Sequence, residues 1–261
     1  MGFAEAAGVA AGEVLGSGDD VVAVRNMIGE AGLPGSKLCQ RGCMTEHADV
    51  EFFWDPVCPW AWLTSRWVAD VAGQRNLAVD WRFISLRLLN RHKNYETDFP
   101  DGYIAGHGSG LKLLRVAAAI RAAEGRDRMS ELYTQFGGDM HVRGRNDEIR
   151  GAFEDGFPDY LRSVGIEEQY IGAANDESWD AELIAETDEA LSRTGKDVGT
   201  PIISFTRDGV TSSFFGPVIS TVPRGDAALR LWDAIWEVAT FAGFAELKRS
   251  LRERPQLKDS L

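Results

Sequence analysis

The sequence predicts an α/β chain in which a long helical stretch interrupts a small sheet. Three observations carry this. A strand, a helix and a second strand follow one another between residues 50 and 84; no strand signal appears from Arg91 to Thr194; and a strand, turn, strand and helix close the chain.

Val50-Glu51-Phe52-Phe53-Trp54 is dense in strand-favouring residues. Asp55-Pro56 turns the chain, and apolar positions from Cys58 to Ala69 then recur at helical spacing. Pro59 is tolerated because it falls in the first helical turn. Gly73 and Asn76 are expected to end this helix. From Leu77 to Ile84, Val79, Trp81 and Phe83 alternate with Asp80 and Arg82 as a half-buried strand does. Two strands around one helix should run parallel with a right-handed crossover.

Helical patterns follow. Met129, Leu132, Tyr133, Phe136 and Met140 share one face; Trp179, Leu183, Thr187 and Leu191 share another, with Asp176 as expected N-cap and Gly195 as stop. Strands return at Pro201 to Phe205 and Thr211 to Phe215 around the hairpin signal Asp208-Gly209. A last helix is expected from Gly225 to Ala242, with Leu229, Trp232 and Trp236 on one side. The order βαβ, helices, ββα is that of a thioredoxin-like core with a helical domain inserted in its middle. The expected division is a core of residues 46–90 and 195–254, an inserted helical lid of 91–194, and a poorly ordered extension of 1–45. VVAVRNMIGEAGLPG in that extension could form one short helix, and Met44 is an alternative start.

Composition narrows the function. The chain has 261 residues with 28 basic and 40 acidic side chains, a formal net charge of -12. Nucleic-acid affinity rests on Lys and Arg against phosphate, and anionic membranes repel acidic chains, so both partners are excluded. No stretch reaches the roughly 20 apolar residues of a membrane span. The first twenty residues lack a basic start and are interrupted by Glu5 and Glu13, so no secretory signal is read. Three cysteines, Cys39, Cys43 and Cys58, argue against a disulfide scaffold and for a cytoplasmic protein.

Cys58 stands where a strand hands over to a helix. Amides of a first helical turn have no intrahelical partner. They can donate to a thiolate, and the helix dipole adds positive potential. A free cysteine titrates near 8.5; at helix starts and similar sites values of about 3.5 to 7.5 occur. The expectation is therefore an ionised, nucleophilic Cys58. A lone cysteine at a strand end is otherwise inert packing. Of Trp54, Trp60, Trp62 and Trp67, only Trp60 is expected to face the site, the others being core. His92, His107 and His141 have no metal-ligand spacing, and no metal is expected. They read as surface or lid residues, with His141 the one placed to touch substrate. Cys39-x-x-x-Cys43 lacks the second pair a zinc site needs.

The segments DPVCPWAWLTSRW, VGTPIISF and FFGPVISTVPRGDAALRLWDA, in this order, resemble the mycothiol-dependent nitroreductases, a branch of the DsbA-like (DsbA-type) thioredoxin-fold proteins. The likeness runs from about Asp49 to Arg254. It implies a cytoplasmic oxidoreductase that takes mycothiol as thiol co-substrate, holds no tightly bound cofactor and acts on disulfide-like or nitro substrates. It assigns Cys58 as nucleophile and Pro201 as a cis-proline after Thr200. It makes Pro59, Trp60, Ala61, Thr200 and Pro201 the substrate-binding border, with His141 beside it. The family's second cysteine falls on Ala61, which has no sulfur. The cycle implied is monothiol, a second mycothiol resolving the mixed disulfide, or Cys39 or Cys43 folding back to do so. Two alternatives stay open: a thiol transferase or isomerase that activates the low-molecular-weight thiol itself, and a redox-inactive binding protein of the same fold. A homodimer stays open too.

Overall fold

The computed structural model describes residues 48–250 and 253–261. Cys39, Cys43, the helix read within residues 21–35 and the alternative start at Met44 lie outside them.

Strand β1 (Val50–Trp54) leads into helix α1 (Pro59–Arg75) and strand β2 (Val79–Phe83). Helices α2 (Leu86–Leu89), α3 (Tyr103–Glu124), α4 (Arg128–His141), α5 (Asn146–Gly151), α6 (Phe157–Ser163), α7 (Glu168–Ile171) and α8 (Asp180–Thr194) follow, with two short 3₁₀ turns before α8. The chain then returns as β3 (Ile202–Arg207), β4 (Val210–Phe215) and α9 (Gly225–Thr240). The sheet order is β2-β1-β3-β4. β1 and β2 are parallel, and β3 is antiparallel to both β1 and β4. This is a thioredoxin-like α/β fold.

Local chemistry explains the boundaries. Gly73 stays inside α1, and Asn76 ends it in the left-handed region at φ 53, where Asn is better tolerated than most residues. Asp208 and Gly209 take φ 53 and 77, the paired positive values of a type I′ hairpin. Asp176 caps the 3₁₀ turn Glu177–Trp179, one step ahead of the helix it was expected to start, and Gly195 ends α8 at φ 100.

Side chains of β1 alternate between two faces. Phe52 and Trp54 lie in the main core with Trp62, Trp67, Trp81, Tyr133 and Trp232. Phe53 packs with Ile84, Ala190 and Ile202 on the other face, where α8 lies. The α4 face read from the sequence is buried throughout, from Met129 to Met140. Full burial of a large apolar side chain contributes about 2 to 3 kcal/mol, so the tryptophan-rich face fixes α1 and α4 against the sheet.

Candidate active site

The sheet register brings together residues far apart in sequence. Phe53 pairs with Ile202, so Pro201 sits beside the end of β1, where the chain turns toward α1. Asp55 builds that turn. Its Oδ1 accepts the Val57 amide at 2.9 Å and its Oδ2 the Leu86 amide at 2.7 Å. Its carbonyl accepts the Cys58 amide at 3.2 Å. One wholly buried carboxyl thus ties the β1–α1 turn to the start of α2.

Cys58 is the N-cap of α1, with extended backbone (φ -84, ψ 110) and Pro59 in the first turn. The Ala61 amide donates to Cys58 Sγ at 3.4 Å, and the thiol donates to the Thr200 carbonyl at 3.7 Å. The Thr200–Pro201 bond is cis. The Pro201 carbonyl accepts the Gly216 amide at 2.9 Å. Thr200 Oγ1 is buried without a hydrogen-bond partner among the described residues. Pro59 and Trp60 are half-buried, while Trp54, Trp62 and Trp67 are core. Ala61 is fully buried and offers its amide, not a side-chain nucleophile.

The expected thiolate is corrected by the geometry. Cys58 is only 6% exposed. Burial pushes its thiol up to about 12, the Ala61 and Trp60 amides pull it down, and the Asp55 carboxylate pushes it further up. The helix-start amides are in place, but desolvation and a like charge outweigh them. In this structure burial therefore favours the thiol over the thiolate. Asp55 itself is pushed up to about 7 by burial, against the pull of the Val57 and Leu86 amides.

His141, the last residue of α4, donates from Nε2 to the Pro56 carbonyl at 2.9 Å. It therefore holds the turn two residues before Cys58, its ring beside Trp62 at 6.0 Å. Burial, aided by Arg150, pushes it down to about 4 despite the Pro56 carbonyl. His92 is exposed and apart from this group. His107 is buried, not on the surface, and its Nδ1 meets the Tyr95 hydroxyl at 2.9 Å. Among the described residues no cluster of His, Cys, Asp or Glu could hold a metal.

The sequence reading treated Asp55 only as a turn residue and passed over Tyr95. The one available signal was an acid three residues before the cysteine. Nothing in the spacing of Tyr95 and His107 announces a bonded pair.

Residues 57–249 match the family described as Rv2466c-like: Mycothiol-dependent nitroreductase Rv2466c. The chain belongs to this family. As a member it is a thiol-dependent oxidoreductase. It is also similar to the protein Rv2286c of Mycobacterium tuberculosis (strain ATCC 25618 / H37Rv), at 29% identity over 208 residues, 77% of this chain and 81% of that one. Two solved structures of the cytosolic disulfide reductase DsbM from Pseudomonas aeruginosa, one with GSH, align at TM-score 0.46 and 16% identity, covering 72% of this chain and 98% of theirs. No helix among the described residues is long and apolar enough to cross a membrane.

Proposed function

We propose that this Rv2466c-like protein is a cytoplasmic monothiol oxidoreductase that uses mycothiol, with Cys58 as nucleophile. The observation that carries the reading is the pairing of Cys58 Sγ, at the N-cap of α1, with the carbonyl of Thr200 ahead of Pro201, while Ala61 stands three residues on without a sulfur. A thiolate formed there attacks a disulfide between mycothiol and a second thiol. The Cys58–mycothiol disulfide forms and the second thiol leaves as thiolate. A second mycothiol thiolate attacks the mycothiol sulfur, releases Cys58 as thiolate and leaves as the symmetric mycothiol disulfide. Net, the mixed disulfide and one mycothiol thiolate give the second thiol as thiolate and the symmetric mycothiol disulfide: the second thiol's sulfur is reduced and the incoming mycothiol sulfur is oxidised. No internal disulfide with position 61 can intervene.

Ionisation is the step that needs opening. Access of water or substrate removes the desolvation that holds the proton on Cys58, and the Ala61 and Trp60 amides are already aimed at the sulfur. Residues 91–194 serve in this reading as the cover that opens and closes. Pro59, Trp60, Thr200 and Pro201 border the bound thiol.

Intact mass after incubation with the symmetric mycothiol disulfide tests the proposal. The expected result is one mycothiol adduct, on Cys58, absent from Cys58→Ser, whose turnover falls to background because a hydroxyl forms no mixed disulfide. Ala61→Cys should shed the adduct by forming an internal disulfide. No adduct at any pH from 6 to 10 would overturn the reading in favour of a redox-inactive binding protein. Substantial activity in Cys58→Ser would favour activation of the cofactor thiol itself.

A further inference from the structure

His107 lies on α3 one turn before Gly110, and α3 runs so close to the Asp55–Val57 turn that a Cβ at Gly110 would come within 2.8 Å of Asp55 Oδ1. This histidine is the centre of a second group, one turn along α3 from the glycine that faces the Asp55–Val57 turn. Its Nδ1 meets the Tyr95 hydroxyl, and Tyr95, Phe99 and Tyr103 form a run of stacked rings against it, at centroid distances of 4.5 and 5.7 Å along the stack. Three cations surround the pair. Arg87 lies over the Tyr95 ring at 4.4 Å, and Lys93 over Phe99 at 5.5 Å. Arg150 packs on α3 where a Cβ at Gly106 would sit 3.2 Å from its Cζ. Burial and then Arg150, Arg87 and Lys93 push His107 down to about 4.

These cations lack acids. The chain carries a formal charge of -12, and arginines such as Arg82, Arg115, Arg121 and Arg193 each meet carboxylates. Among the described residues no carboxylate pairs with Arg87, Lys93 or Arg150. Arg150 Nε is moreover buried without a hydrogen-bond partner. An uncompensated buried N–H of a cation is costly in a finished interior and useful in a binding site. Arg150 is also close enough to lower both His107 and His141, and His141 holds the Pro56 carbonyl beside Cys58.

The geometry points to a subsite for an oxyanionic group, a carboxylate or a phosphate, gripped by Arg150, Arg87 and Lys93 against Tyr95 and His107. It rests on the proposed exchange reaction and adds the class of substrate: the thiol that leaves when Cys58 attacks carries negative charge near its sulfur. The anion takes the place of the missing carboxylates, and the aromatic stack forms the wall along which the rest of that thiol lies.

The test uses the full chain with labelled histidine, titrated at pH 7 with inorganic phosphate and, separately, with succinate. Neither probe reacts with a cysteine, so this outcome is independent of the redox reading. The expected result is a saturable shift of the His107 imidazole signal toward its protonated position, by the anion class the site prefers. Binding should weaken roughly tenfold in Arg150→Met, the size of one charge-assisted hydrogen bond, and fall with added salt. Lys93→Met, in the loop before α3, should weaken it in the same direction and serves if Arg150→Met does not fold. Saturation by neither anion, or equal affinity in wild type and both variants, would overturn the subsite. A Cys58 adduct that forms while neither anion binds leaves the exchange reaction standing and removes only this inference.

Discussion

β1 carries one carboxylate near its start and another just past its end, and the protein treats them oppositely. Glu51 meets Arg82 at 2.7 Å and Arg193 at 2.5 Å. Burial pushes its carboxyl up, but Arg193 and Arg82 together hold it below its ordinary value. Glu186 and Glu189 extend the network on the α8 face: Glu186 accepts the Phe83 amide at 2.7 Å and pairs with Arg121 at 3.0 Å, and Glu189 pairs with both Arg82 and Arg193. Asp55 meets no cation and is left with two amide donors. Among the described residues the buried side-chain atoms without a hydrogen-bond partner are Thr200 Oγ1, Arg150 Nε, Trp54 Nε1, Tyr133 Oη and Arg66 Nη2. The carboxylate near the start of β1 is neutralised by two arginines, and the one past its end, in the turn before Cys58, is not.

Breaking the neutralised region should give the largest effect. Glu186→Gln removes the negative charge and one of the two acceptor oxygens that serve Arg82, Arg121 and the Phe83 amide. The expected loss is about 3 to 5 kcal/mol, as for one half of a buried ion pair, measured from the denaturant midpoint. A loss under about 1 kcal/mol would erase the contrast.

The region around Asp55 should respond to pH instead. The Asp55 carboxyl keeps its proton to about 7 in the fold, whereas an unfolded aspartate loses it near 4. The fold therefore binds the extra proton in that window, and stability falls as pH rises from about 4 to 7, by on the order of 4 kcal/mol. Asp55→Asn should flatten that slope. It also removes a charge that disfavours the Cys58 thiolate, so iodoacetamide should react with Cys58 at a lower pH midpoint than in wild type. An unchanged midpoint would uncouple the two groups.

His141 runs the other way. It stays neutral to about 4 in the fold and titrates near 6.5 when unfolded. Its contribution is present above about 6.5 and lost as pH falls toward 4, about 3 kcal/mol in all. His141→Gln keeps an N–H for the Pro56 carbonyl and should lose that acid sensitivity, read as the difference from wild type across pH 4 to 7. The smallest effect belongs to the solvent-facing pair Arg75–Asp233, at 2.6 Å. Arg75→Met should cost under about 1 kcal/mol in thermal or urea unfolding.

Elements with a local cause were legible. β1, the Asp208-Gly209 hairpin, the Asn76 and Gly195 stops and the buried α4 face each follow from a few neighbouring side chains. The juxtaposition of Cys58 with Thr200 was legible through the resemblance, since Thr-Pro alone does not specify a cis bond. The protonation of Cys58 was not. Its helix-start amides could be foreseen from sequence, but the burial and the Asp55 charge that outweigh them come from packing by distant segments. The same holds for His107, placed at the surface or lid by sequence and found bonded to Tyr95.

The sequence by itself determined the order of strands and helices, the family and the single sulfur at the start of α1, because propensity, periodicity and motif spacing are properties of neighbouring residues. Only the tertiary structure decided which charges are neutralised, which polar atoms are left without partners, and that burial works against ionisation of the Cys58 sulfur. Those depend on solvent exclusion and on Coulomb interactions between residues as far apart in the chain as 55 and 133, and no local pattern encodes them.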